Sequence, residues 1–298
     1  MKLGVALPLI DVGGEPAVVR DFAQAAEGLG YDFLAATDHV LGVNVASRPD
    51  WGQRNTSADF FHDPFVLFGF LSAATRKIEF STEVLILPQR QTVLVAKQTA
   101  CLDVLSGGRF RLGIGVGWNP VEFTGLNEDF GNRGRRSEEQ VQVMKALWAD
   151  RHVSFRGRWH AIEDAGINPL PTRRGVPLWY GGHNDVTLRR IAKWGDGWMM
   201  LAHPPGEAAR AEFAKLHAYA AAEGRRKEEI GLGVWVSAVD DEAAWRREIQ
   251  AWKDAGVTHV TLNNTFGRYH HRRIPGRSLA DHVTAMTRYR GAVADLLD

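Results

Sequence analysis

Eight times along this chain of 298 residues, a short apolar run is followed by a longer stretch whose apolar residues recur at helical spacing. The first pair is a strand over 3–7 and a helix over 15–29, where Val18, Val19, Phe22, Ala25, Ala26 and Leu29 share a face before Gly30. Glycine just past the last periodic residue is a helix stop. Further strands fall at 33–36, 78–87, 110–117, 176–180, 197–201, 230–238 and 257–263. Helices follow at 64–74, 91–105, 137–148, 186–194, 207–222, 240–255 and 279–296. Alternating units of this kind either close into a (β/α)8 barrel or form an open doubly wound sheet. Eight units with a helix after the last strand favour an α/β chain folded as one TIM-like barrel domain over 1–298. Its loop insertions are expected at the C-terminal face, chiefly at 153–171, where no periodicity is visible.

The fourth strand is the most unusual. Phe110, Leu112, Ile114 and Val116 alternate with Arg109, Arg111, Gly113, Gly115 and Gly117, the period-two pattern of a strand. The bulky face is expected outward against helices and the glycine face inward. Glycine weakens a strand, so its usual reason is close approach by another backbone or by a ligand. Small residues crowding a barrel interior explain the pattern as well. The spacing G-x-G-x-G lacks the third glycine opening a helix that a dinucleotide fingerprint requires.

Composition narrows the partners. Net charge is +1, which gives no reason to invoke nucleic acid or an acidic membrane surface. No run is long and apolar enough to span a membrane, and the opening MKLGVALPLIDVGGEP meets Asp11 and Glu15 too early for a signal peptide. Cys101 is the only cysteine, so no intrachain disulfide or cysteine-based zinc site exists, and a buried structural thiol is expected. A cytoplasmic protein acting on a small molecule is the expectation.

Barrels of this class carry their chemistry at the C-terminal ends of the strands. Asp38-His39 after the second strand is the best acid/base candidate, because imidazole titrates near neutrality and a neighbouring carboxylate fixes its tautomer. A single structural hydrogen bond would also account for the histidine. Gly181-Gly182-His183-Asn184 joins a strand to a helix, where unpaired N–H groups and the helix dipole suit a phosphate. A tight turn capped by Asn184 or Asp185 explains the same residues. His270-His271-Arg272-Arg273 lacks metal-ligand spacing and reads as a solvated basic loop. The irregular stretch 41–59 is long enough to be a lid.

Several short stretches, in order, resemble the luciferase-like superfamily, especially its branch of coenzyme F420-dependent oxidoreductases. They are Ala26 to Asp32 leading into Asp38-His39, Ile86 to Arg90, Leu105 through Trp118, Arg133 to Arg136, Pro177 to Gly182, and Gly195 to Trp198. The resemblance implies a TIM-like barrel carrying a deazaflavin, or alternatively FMN, across the strand ends. It implies a bulge with a non-proline cis peptide near Glu83-Val84, with Thr82, Glu83 and Val84 at the ring. Gly115, Val116, Gly117 and Trp118 would lie against the ring, Gly181, Gly182, His183 and Asn184 around the phosphate, and Asp38 beside them. His39 matches a histidine at the reactive ring face. A longer anionic tail of F420 would suit Arg133, Arg135 and Arg136 and the basic residues 268–273. The glutamate that sugar-phosphate dehydrogenases of the family place near Trp118 is absent, and Glu122 lies further along. Members are commonly dimers. An FMN-dependent monooxygenase and a non-enzymatic barrel without cofactor are the competing readings, and the substrate would be set by loops 41–59 and 153–171.

Overall fold

In a computed structural model of the chain, which describes residues 1–298 except Gln53 and Arg268, every apolar run becomes a parallel strand followed by a helix. The first four pairs are β1 (Lys2–Ala6) and α1 (Pro16–Gly28), β2 (Phe33–Ala36) and α2 (Pro64–Ala74), β3 (Glu79–Thr82) and α3 (Thr92–Ser106), and β4 (Phe110–Gly115) and α4 (Arg133–Ala149). The second four are β5 (Leu178–Gly181) and α5 (Asp185–Trp194), β6 (Gly197–Met199) and α6 (Glu207–Ala222), β7 (Gly231–Val236) and α7 (Glu242–Asp254), and β8 (His259–Leu262) and α8 (Leu279–Val293). Each strand pairs with its neighbours in chain order, β8 pairs with β1, and β3 pairs with β4 through Phe80 opposite Phe110. The sheet is therefore closed, and the barrel replaces the open-sheet alternative.

β3 differs from the continuous strand over 78–87. It stops at Thr82, is interrupted by a cis Glu83–Val84 peptide where the resemblance placed one, and resumes at Leu85–Ile86 beside β4. Thr82 Oγ1 donates to the Gly113 carbonyl at 2.7 Å and accepts from the Gly113 N–H at 2.8 Å, so a side chain completes the ladder at the break. Thr82 is thus a stitch between strands, not part of the cleft.

The barrel interior explains most of the strand glycines. The Phe33 ring lies over Gly4, where an added Cβ would come within 2.2 Å of it. Trp179 lies over Gly197, Gly231 and Gly233 in the same way. Arg111, on the glycine face of β4, is buried between these two rings with its guanidinium carbon 4.5 Å from each centroid. Desolvated cation–π contacts of this kind contribute roughly 2 kcal/mol or more. Burial lowers the Arg111 pKa, and the charge of Glu83 opposes that. Outside, Phe110 packs on Phe65 and Phe68 of α2, so the bulky face of β4 does point to the helices.

Two connections depart from expectation. Helix α4 begins at Arg133, four residues before the expected start at Ser137, and Arg133 anchors the entry by donating to the Phe130 carbonyl at 2.7 Å and lying over the Phe130 ring. The 153–171 insertion contains an antiparallel hairpin, Val153–Arg156 with Ala161–Ala165. Glu139 of α4 pins it by accepting from the N–H groups of Arg158, Trp159 and His160. Cys101 is half-buried in α3, not enclosed. Among the described residues no helix is long and apolar enough to cross a membrane.

Candidate active site

The C-terminal ends of the strands surround one cleft of about 340 Å³. Its floor is apolar. Val84, presented by the bulge in β3, stands against Gly115 and Gly181, where an added Cβ would come 2.6 Å and 3.0 Å from its methyl groups. Val116, Gly117 and Trp118 continue this floor. Gly117 has φ of 75° and would press a Cβ within 2.6 Å of Ile86, so only glycine lets the chain turn here.

At the end of β2, Asp38 and His39 both border the cleft but do different work. The Asp38 carboxylate is buried and accepts from Arg90 Nη2 at 2.7 Å and from the Ile86 N–H at 2.9 Å. Arg90 in turn reaches Asp63, the residue that caps α2, at 2.8 Å. Burial pushes the Asp38 carboxyl up, and Arg90 pulls it back. Asp38 therefore ties the ends of β2 and β3 together and makes no contact with the His39 imidazole.

That contact comes from Glu122, in the short helix Pro120–Gly125. Its Oε1 lies 3.4 Å from His39 Nδ1 and accepts from the Val40 N–H at 2.8 Å and the Leu41 N–H at 3.3 Å. Burial raises the Glu122 carboxyl, but the bonds from His39, Val40 and Leu41 outweigh it and hold it below the ordinary range. Phe61 meets the imidazole edge-on at 4.8 Å. His39 Nε2 has no partner among the described residues, and the ring borders the cleft.

The opposite end of the cleft is the start of α5. Asn184 caps it by accepting from the Thr187 N–H at 2.8 Å. Gly182 has φ of 114°, and its carbonyl is fixed by Trp198 Nε1 at 2.8 Å. Asp185, the rival cap, turns outward to Lys215 at 2.9 Å and to Arg189 and Tyr219, so its charge is matched away from the cleft. Gly181, Gly182, His183 and Asn184 all line the cleft, at a helix start whose first N–H groups lack intrahelical partners.

Other expected residues lie elsewhere. Arg136 is buried on Glu128 and the Pro88 carbonyl and does not border the cleft, since α4 starts early enough to carry it into the helix packing. Arg133 is spent on Phe130 and Gly117, Arg272 pairs with Asp240, and Arg273 pairs with buried Asp11. Arg268 is outside the described residues. His271 is not solvated: it packs on Trp235, and burial first, then His270, push its imidazole down to about 4. No residue of 153–171 lines the cleft, whereas the 41–59 loop reaches it, Trp51 lying 5.6 Å from Trp118 with Arg54 over the same ring.

Sequence reasoning missed Trp235, Phe266 and Tyr269, which wall the cleft, whereas Glu83, expected at the ring, does border it. The inward parity of Gly231, Gly233 and Trp235 along β7 is the signal that would have found the tryptophan. Glu122 carries no such signal, because only folding brings it to His39.

The closed barrel with a rim cleft, floored by a bulged strand and two glycine-ended strands, defines a (β/α)8 framework of the luciferase-like kind. The chain belongs to the luciferase-like monooxygenase family, whose model matches residues 3–292. An uncharacterised protein of Mycobacterium tuberculosis is 33% identical over 190 residues, which is 62% of this chain and 65% of that relative's length. The FMNH2-dependent dimethylsulfone monooxygenase of Pseudomonas putida is 28% identical over 226 residues, 75% of this chain and 58% of that protein. Among solved structures, an F420-dependent secondary alcohol dehydrogenase in complex with an F420–acetone adduct superposes with a TM-score of 0.79 at 20% identity. That match covers 100% of this chain and 99% of the other.

Proposed function

We propose that this chain is an oxidoreductase that moves a hydride between the deazaflavin coenzyme F420 and a small organic substrate. The observation that carries the reading is His39, held through Nδ1 by a buried carboxylate and bordering the cleft with an uncommitted Nε2. Hydride addition to a carbonyl carbon requires a proton on its oxygen, and the reverse reaction requires that proton's removal. An imidazole is suited to both at neutral pH. The bound cofactor supplies or takes up the hydride. The floor of Val84, Gly115, Val116 and Gly117 suits a flat tricyclic ring, and the turn of Gly181, Gly182 and Asn184 suits its phosphate.

The preference for F420 over FMN is supported by the likeness to the F420-dependent alcohol dehydrogenase over the whole of both chains. Of the arginines expected to hold an anionic tail, Arg133, Arg136, Arg272 and Arg273 are already paired, which leaves exposed Arg135 among the described ones to weigh in its favour. The FMN-dependent monooxygenase reading is favoured by the Pseudomonas relative. A fluorescence-quenching titration with each cofactor decides between them. Tighter binding of F420 is expected, and equal or tighter binding of FMN overturns the proposal.

The working form is a homodimer in this reading. Val66 and Phe70 on α2 and Leu94 and Leu105 on α3 are exposed on two helices that pack side by side, and α2 holds no charged residue. A second copy of the same apolar face is the partner that matches it, since such patches are seldom left in water.

A further inference from the structure

Across the cleft from the α5 turn, a small recess of about 10 Å³ opens between the ends of β1, β2, β7 and β8. It shares Thr37, Glu83, Trp235 and Phe266 with the cleft, so it is entered from there. Its size is on the order of what one water or one hydroxyl group needs. Ala6, Leu7 and Ala36 make its apolar side.

Its polar side is unusual for a barrel core. Glu83 is buried, and each of its oxygens receives one donor, Trp235 Nε1 at 2.7 Å and Thr261 Oγ1 at 3.0 Å. A carboxylate has about four acceptor positions, so both oxygens keep capacity. Asn263 is 1% exposed, and its Oδ1 is committed to the Thr265 N–H and hydroxyl at 3.1 Å and 2.9 Å. Its Nδ2 has no partner among the described residues, although the side chain lines the recess. Buried amide donors are seldom left unpaired, and each one that is calls for an explanation.

From this juxtaposition of a buried acceptor and an unpartnered buried donor, we infer that the recess is a substrate subsite for a hydroxyl group. A hydroxyl donates to Glu83 and accepts from Asn263 Nδ2. A carbonyl could only accept and an ammonium could only donate, so either would leave one partner unsatisfied. Substrate binding in this recess leaves the floor and the α5 turn to the cofactor, and it places the recognised hydroxyl apart from the reacting carbon. The inference deepens the proposed function by naming a substrate class: small hydroxylated molecules, distinguished from their deoxy analogues. Sites built to bond a hydroxyl reject the analogue lacking it far more strongly than apolar pockets reject a missing methylene.

The test is binding, measured without turnover so that it does not depend on which cofactor is used. Hydroxyacetone and acetone, which differ by one hydroxyl, are compared by ligand-observed NMR titration on the wild-type chain. Hydroxyacetone is expected to bind about 10-fold tighter or more. Asn263→Asp, which keeps the acceptor for Thr265 and removes the Nδ2 donor, is expected to bring the ratio near one. Equal binding of the two probes to wild type, or binding of neither, overturns the inference even if the variant fails to fold. Tighter binding of FMN than of F420 would overturn the hydride-transfer reading and leave this result standing.

Discussion

Glu122 Oε1 sits 3.4 Å from Nδ1 of His39, across 83 positions of sequence, and the same oxygen receives the two N–H groups that follow the histidine. The carboxylate thus fixes both the imidazole and the loop that bears it. As an acceptor it favours the form in which Nδ1 carries a proton. Nearby Asp38, the carboxylate that adjacency in sequence singles out, is committed to Arg90.

His39→Asn is expected to lower turnover by about 10²-fold or more, a common general-acid contribution, while F420 affinity changes little. Steady-state kinetics and a quenching titration on the same preparation check this. Unchanged turnover would make His39 a structural residue.

Glu122→Gln is expected to alter stability in a pH-dependent way. A carboxyl held below its ordinary value in the folded state stabilises the fold fully above its unfolded pKa, about 4.3. That contribution is lost as pH falls through the lower folded value. The variant should therefore melt below wild type at neutral pH, with the gap closing in the acid range. A gap that is constant with pH would show that the carboxylate's charge is not what stabilises.

Arg90→Met leaves the Asp38 carboxylate buried without its cation. Breaking a buried pair from one side costs about 3–5 kcal/mol. Urea denaturation should show a loss of that order, and a loss under about 1 kcal/mol would mean that the Ile86 N–H alone suffices for Asp38.

Gly182 has a positive φ, so any side chain there is strained, and alanine is the proper control for charge. Gly182→Asp should bind cofactor about 10-fold more weakly than Gly182→Ala, a difference of about 1.4 kcal/mol. Equal affinities would place the phosphate away from the α5 turn.

Leu105→Glu introduces charge into the exposed apolar face of α2 and α3. Light scattering is expected to give twice the 33.1 kDa chain mass for wild type and the single-chain mass for the variant. A monomeric wild type would remove the dimer from the proposal.

Local pattern carried most of the architecture into view. Helix boundaries such as Pro64–Ala74 and Glu207–Ala222 follow directly from apolar spacing and their flanking residues. The glycines of β4 marked close approach correctly, but a glycine reports that something is near and not what it is. Beside Gly113 it is the Thr82 backbone, and beside Gly115 it is Val84. The arginines misled for a related reason. A charge run looks available in sequence, whereas Arg136 found Glu128 just before its own helix and Arg273 found Asp11 at the other end of the chain. Arg111 was counted among alternating polar positions, yet aromatic rings from two other strands made its burial tolerable.

Phe33, Arg111 and Trp179 stopper the barrel from below, which makes it a blind well. Anything that reaches the rim must leave by the way it came, so in the proposed reaction cofactor, substrate and product share one doorway. Trp51, 5.6 Å from Trp118, and Tyr269, in the cleft wall, stand beside that doorway, and changes to those two side chains are expected to be felt first as changes in residence time.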